Sequence, residues 1–225
     1  ADAILDFKGD IDQIIIKKLT VKYGDKKALD DISFTISNQQ KIAIVGASGA
    51  GKTTLLKSII GINNLTSGKI KFNGQDLTNT PNYSRASLGF GYMPEDRGLI
   101  PELTVEENIL LPSWALKDLD GKSRLKLVYE IMPELKQMSN RKALLLSGGQ
   151  QKMAALGRAL MSGTQLLLLD EPFEGVAPAL SQRLGDVIKG LRSENLSIIL
   201  SQSELNHTAD IFDKKFVIER GENVQ

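Results

Sequence analysis

Residues 41–53 read KIAIVGASGAGKT: an apolar run of strand length, a glycine-rich turn, then Lys52-Thr53 opening a helical pattern. Within it, Gly46-Ala47-Ser48-Gly49-Ala50-Gly51-Lys52-Thr53 matches G-x-x-x-x-G-K-[ST] in the strand–turn–helix setting that this motif requires. The glycines let successive backbone N–H groups turn inward around phosphate oxygens, and the helix N-terminus adds its positive dipole end. Lys52 would reach β- and γ-phosphates, the Thr53 hydroxyl would bind Mg²⁺, and Thr54 would close the ATP-binding stretch 46–54. A plain glycine-rich turn is the bland alternative. The complete motif in this placement argues against it and for a nucleotide.

Working outward, other apolar runs have the same length and end as abruptly. QLLLL (165–169) runs into Asp170, SIIL (197–200) into Ser201, and KFVIE (215–219) into Arg220-Gly221. Short continuous apolar runs read as strands buried on both faces, the mark of a parallel sheet covered by helices. Helical periods lie between them at Thr53–Ile60, Gln151–Met161 and Leu180–Leu191. The first forty residues mix alternation with β-branched residues, as antiparallel strands do, and Gly68–Leu77 reads as a hairpin turning at Asn73-Gly74. From about Gly98 the strand signal disappears. Thr104-Val105-Glu106-Glu107 is a capping box that opens a helix through about Leu111, where Pro112 punctuates the chain. The expected fold is α/β: a core with a mainly parallel sheet, an antiparallel region at about 12–40 and 68–78, and an inserted helical lobe at about 98–160. All 225 residues form one domain in this reading.

Composition removes several function classes. Lys and Arg number 28 and Asp and Glu 27, a net charge of +1, which gives no electrostatic reason to expect nucleic acid. There is no Cys, so disulfides, thiolate metal sites and a Cys nucleophile are excluded. The single His207 excludes a His-cluster metal site and makes a Ser–His triad a poor reading. No run approaches the roughly 18 apolar residues that span a bilayer, and the opening ADAILDFKGDID has acids where a secretory leader has bases. Any role at a membrane is expected to come through a partner.

Two further elements carry chemistry. Asp170-Glu171 ends a buried strand, where open α/β sheets bind ligands. Asp170 would hold Mg²⁺ directly or through water, and Glu171 would accept a proton from an attacking water. Leu146-Ser147-Gly148-Gly149-Gln150 precedes the helix QKMAALGRALM and makes a second anion site at a helix N-terminus, or else a plain Ser-Gly cap. One nucleotide cannot easily use both phosphate sites within one protomer.

GASGAGKT, LSGGQ at 146–150 and LLLLDEP at 166–172, in this order, resemble the nucleotide-binding subunit of an ATP-binding cassette (ABC) protein over nearly the whole chain. The resemblance implies a P-loop ATPase that uses ATP and Mg²⁺. It further implies a head-to-tail dimer in which each ATP lies between the Lys52 loop of one protomer and residues 146–150 of the other. Tyr23 stands where an aromatic stacks on adenine. Glu95 occupies the place of a Gln that contacts Mg²⁺ and the membrane partner, so its carboxylate would bind the ion or salt-bridge that partner. Gln202 replaces a switch His beside the γ-phosphate; it can donate a hydrogen bond there but cannot shuttle a proton. The phrases PEDR, LTVEEN and EGVAP with Gln202 are most similar to importer ATPases for branched-chain amino acids. Such a subunit would pair with an identical or related cassette, transmembrane permease subunits and an extracytoplasmic solute-binding protein. It would sit peripherally on the cytoplasmic side of the inner or plasma membrane. A soluble cassette of the iron–sulfur assembly type is the alternative.

Overall fold

The computed structural model describes residues 12–191, 196–204 and 209–224; the acidic opening segment 1–11 and His207 lie outside them. The elements run β1 (Asp12–Tyr23), β2 (Lys26–Ser37), β3 (Lys41–Val45), α1 (Lys52–Ile59), β4 (Ser67–Phe72), β5 (Gln75–Asp76), α2 (Asn82–Ser87) and β6 (Phe90–Met93). Then follow α3 (Val105–Ala115), α4 (Gly121–Ile131), α5 (Pro133–Gln137), α6 (Gly148–Ser162), β7 (Leu166–Asp170), α7 (Pro178–Gly190), β8 (Ser197–Gln202), β9 (Lys214–Glu219) and β10 (Glu222–Val224).

Among the described residues these strands make two sheets. One is antiparallel with order β2-β1-β4-β5. The other has order β10-β9-β3-β8-β7-β6 and is parallel except at its β10 edge. β4 and β5 turn at Asn73-Gly74, both with positive φ (47° and 80°), as a two-residue hairpin of the primed type requires.

The apolar runs are explained by what lies on each face. Leu166, Leu168 and Ile199 join an apolar cluster between the two sheets that also holds Leu55, Leu56 and Ile59 of α1. Leu167, Leu169, Ile198 and Leu200 point the other way, into a cluster built on α6 and α7. With both faces covered, strands have no polar side and read as unbroken apolar sequence. Phe72 of the antiparallel sheet meets Phe90 of the parallel one edge to face at 4.7 Å.

The four helices α3–α6 fill the interval between β6 and β7. Thr104 caps α3 as a complete box: its hydroxyl accepts from Glu107 N, and the Glu107 carboxylate accepts from Thr104 N at 2.8 Å. α3 does not stop at Leu111 as its proline suggested, but runs to Ala115 with Pro112 inside it. Ser113 Oγ donates to the Leu110 carbonyl at 2.7 Å, and buried Val105, Asn108 and Ile109 hold the helix in place. Tertiary packing here outweighs a local break. Asn108 ties the preceding loop down by donating to the carbonyls of Ile100, Leu103 and Thr104 and accepting from Ile100 N.

Candidate active site

The parallel sheet delivers its chemistry at the carboxyl ends of β3, β7 and β8, which are neighbours in the order β3-β8-β7. β3 ends at Val45, and the chain turns through 46–51 into α1. Gly51 has φ 110°, where a Cβ would also meet the Ala28 carbonyl and Leu29 at 2.8 Å. Gly46 is held by its N–H to the Gln202 carbonyl, and a Cβ there would strike the Ile218 carbonyl. These two positions admit only glycine, because the loop is pressed against β2, β8 and β9.

Lys52 is buried and its ammonium folds back over the loop, donating to the carbonyls of Gly46 (2.7 Å) and Ala47 (3.1 Å) and to Ser203 Oγ (3.3 Å). It also pairs with Glu171 Oε1 at 3.0 Å, with both side chains almost wholly buried. Glu171 has a left-handed backbone, φ 46°, which is uncommon for a residue with a Cβ. Its N–H donates to the Ser201 carbonyl and Oγ, and its carboxylate accepts from Ser203 N (3.1 Å) and Oγ (2.9 Å). Such a conformation persists where the surroundings over-determine it.

Asp170 is fully buried. Its Oδ1 accepts from Ser201 Oγ (2.5 Å) and Thr53 Oγ1 (3.1 Å), and Tyr92 OH lies 3.4 Å from Oδ2. Burial pushes the Asp170 carboxyl above the usual carboxylate range, while the Ser201 and Thr53 hydrogen bonds pull it back. Glu95 is raised too, by burial and then by the Asp170, Glu174 and Glu171 carboxylates around it. Hydroxyl and carboxylate oxygens that meet across 3.1 Å suit a hard divalent cation such as Mg²⁺. No group of three or more His, Cys, Asp or Glu able to hold a metal occurs among the described residues, so such an ion would draw its other ligands from phosphate and water.

A cleft of about 410 Å³ opens over these groups. Of the residues read for the nucleotide and its metal, Tyr23, Ser48, Gly49, Gly51, Lys52, Thr53, Thr54, Glu95 and Glu171 line it, and Gly46, Ala47, Ala50 and Asp170 do not. Tyr23 is 56% exposed at its mouth, so it is no core aromatic. Lys26, Lys27, Ala28, Ser203 and Arg220 also line the cleft and were not singled out from sequence, and Glu174, which opens the EGVAP stretch, joins them. Ser203 is the most informative of these, since it touches both Lys52 and Glu171. The only hint of it in sequence is its place next to Gln202. Gln202 itself does not line the cleft: its backbone carbonyl holds Gly46, and its buried Oε1 has no hydrogen-bond partner among the described residues.

Residues 146–150 are not part of this cleft. Leu146 is buried in the helical lobe, while Ser147 and Gly148 are exposed at the start of α6. Ser147 Oγ accepts from Gln150 N (3.3 Å) and Gln150 Oε1 accepts from Ser147 N (3.0 Å), a capping box that leaves the serine O–H free to donate.

Residues 29–174 match the family model described as ABC transporter. The chain belongs to the ABC transporter family. The match begins in β2, takes in the Lys52 loop and residues 146–150, and ends just beyond Glu171, with Tyr23 before it and Gln202 after it. This ABC ATPase is 35% identical over 204 residues to the high-affinity branched-chain amino acid transport ATP-binding protein BraG of Pseudomonas aeruginosa, covering 91% of this chain and 88% of that protein. It is 29% identical over 207 residues to the lipopolysaccharide export system ATP-binding protein LptB of Haemophilus influenzae, covering 91% and 86%. Its fold matches a nucleotide-free ATP-binding cassette from an ABC transporter with a TM-score of 0.85 and 25% identity, over 95% of this chain and 90% of that one. It binds and hydrolyses ATP as the ATPase of an ABC transporter.

Proposed function

We propose that this ATPase works as one half of a head-to-tail dimer around two ATP–Mg²⁺, driving import of branched-chain amino acids or a similar small solute. The observation that carries the dimer is the separation of the two glycine-rich segments. The Lys52 loop shares a cleft with Glu171, and Asp170 lies buried behind it on Thr53, while Ser147–Gln150 stand outside it with a hydroxyl proton and helix amides free. A second protomer, set head to tail, would bring its 146–150 over this cleft.

In this reading Tyr23 stacks on adenine and the amides of 46–54 cradle the phosphates. Lys52 transfers its ammonium from Glu171 to the β- and γ-phosphates when ATP enters. Glu171 then holds the proton of the in-line water, and Gln202, whose side chain stands outside the cleft without nucleotide, would turn its amide in to donate beside the γ-phosphate. The partner protomer's copies of Ser147, Gly148 and Gly149 stabilise charge developing on that group. Thr53 and Asp170, with Glu95 facing them, would hold Mg²⁺, which neutralises phosphate charge. The helical lobe and the loop around Glu95–Pro101 receive transmembrane permease subunits, which place the protein peripherally on the cytoplasmic side of the membrane. No helix of the described residues is itself long and apolar enough to cross one.

The similarity to BraG supports amino-acid import, with an extracytoplasmic solute-binding protein as a further partner. The lower similarity to LptB supports a second reading, export of a lipid-like cargo. Expressing Glu171→Gln in its native cell, holding the closed dimer with ATP and Mg²⁺, and identifying what is recovered with it decides between them. Polytopic permeases with a solute-binding protein are expected. Permeases with an export assembly would overturn import, and soluble partners alone would overturn transport in favour of an assembly factor.

A further inference from the structure

Lys152 is a buried cation that no step above uses. It stands in α6 two residues past Gln150, with 3% of its surface exposed, and its Nζ donates to the backbone carbonyl of Glu171 at 2.6 Å. That carbonyl belongs to the Glu171–Pro172 peptide, whose nitrogen carries no hydrogen. The carbonyl is therefore the one strong hydrogen-bonding group by which this peptide plane can be held. On its other side Glu171 is fixed by its own N–H to Ser201. The same carbonyl also accepts from Glu174 N at 3.2 Å within the turn, so the left-handed turn is gripped from β8 through the Ser201 carbonyl and Oγ and from α6 through the shorter bond of the Lys152 ammonium.

The charges around Lys152 come from two segments, the loop after β6 and the turn after β7. Burial and the Arg97 guanidinium depress its pKa, whereas the carboxylates of Glu174, Glu171 and Glu95 favour its charge. Arg97 in turn donates to Gln151 Oε1 at 2.7 Å, so the loop after β6 and the turn after β7 both attach to the first turns of α6. A buried lysine is costly unless its charge and donors are used.

We propose that Lys152 is a positioning residue that ties the N-terminal turns of α6 to the backbone of Glu171, so that engagement of Ser147–Gln150 at one ATP sets the base that acts on the other. This rests on the proposed roles of Glu171 and of residues 146–150. The path is short: one rigid helical turn and a half, one ammonium, one carbonyl. A shift of the α6 N-terminus moves the peptide plane that aims the Glu171 side chain.

The test is ATP turnover in the assembly the chain forms in its cell, for Lys152→Met, Lys152→Arg and the double variant Lys152→Met/Ser147→Ala. Losing a hydrogen bond from a charged donor is expected to lower kcat roughly ten- to hundredfold in Lys152→Met. KM should stay within about threefold, and Lys152→Arg should recover most of kcat. Ser147→Ala loses its own bond to the phosphate in either background, but the part of its effect that passes through Lys152 should vanish in Lys152→Met, so the double variant should lose less than the product of the two single losses. Wild-type kcat in Lys152→Met, a fully additive double variant, or KM and kcat lost together would each overturn the inference. If Lys152→Met does not fold, Lys152→Gln is read in the same way, and failure of both to fold would assign Lys152 to stability alone and overturn it. Glu171→Gln is the separate control. If that variant turns over normally, the assignment of the base fails; if it is inactive while Lys152→Met is normal, only the role of Lys152 fails.

Discussion

Two glycine-rich segments in this chain each open a helix, and they are finished in opposite ways. At α1, Gly51 is the N-cap, no side chain caps the helix, and the space in front is held by the Lys52 ammonium, itself paired with Glu171. At α6, Ser147 and Gln150 satisfy each other's backbone N–H in a capping box, and the segment stands exposed. The first end keeps orphan donors and a caged cation for a ligand. The second is stable in water without one, and retains only a hydroxyl proton and glycine amides to offer. A phosphate entering the first end must displace an ion pair; at the second it meets a finished surface. That contrast fits a site whose halves belong to different protomers, one half waiting and the other delivered.

The largest way to break the contrast is Glu171→Gln. Removing a general base should lower turnover by about 10²–10⁴ while ATP still binds. Steady-state phosphate release with parallel nucleotide titration checks this, and normal turnover would remove Glu171 as the base.

Ser147→Ala tests the delivered half. It should lower kcat about ten- to hundredfold through one lost hydrogen bond to a charged group, and leave nucleotide affinity of the separated protomer unchanged. A change in that affinity would put residues 146–150 at their own protomer's nucleotide and end the dimer reading. Because the serine also caps α6, a loss of about 1 kcal/mol in stability should accompany it. A fall in melting temperature is the measure.

Smaller effects sharpen the waiting half. Ser203→Ala removes a hydroxyl from both Lys52 and Glu171 but leaves the Ser203 amide on the carboxylate, so a loss of a few-fold in kcat is expected. Gln202→His should leave hydrolysis within about tenfold of wild type, since the amide's role is a single hydrogen bond. Abolished turnover in Gln202→His would show that the amide does something an imidazole cannot.

Much of this was legible locally. The phosphate loop, the capping box at Thr104, the Asn73-Gly74 hairpin and the apolar strands follow from neighbours in sequence, because each depends on φ/ψ preferences or on residues within a turn of one another. The run through Pro112 was not legible, since packing of α3 against α6 decides it. Nor was Ser203: its hydroxyl matters only because β8 lies between β3 and β7 and brings it to Lys52 and Glu171. Lys152 was read as part of a helical period, and nothing in its neighbours announces a bond to Glu171.

By itself, then, the sequence determined the family and the α/β class, and it marked the residue types proposed to meet phosphate and metal, since each is a short pattern with its own stereochemistry. Tertiary structure alone decided which side chains share the cleft, that Lys52 holds Glu171 while Ser147–Gln150 stand apart, and that one lysine joins the two regions. Those are contacts between segments far apart in the chain, set by strand order and helix packing, and no local pattern encodes them.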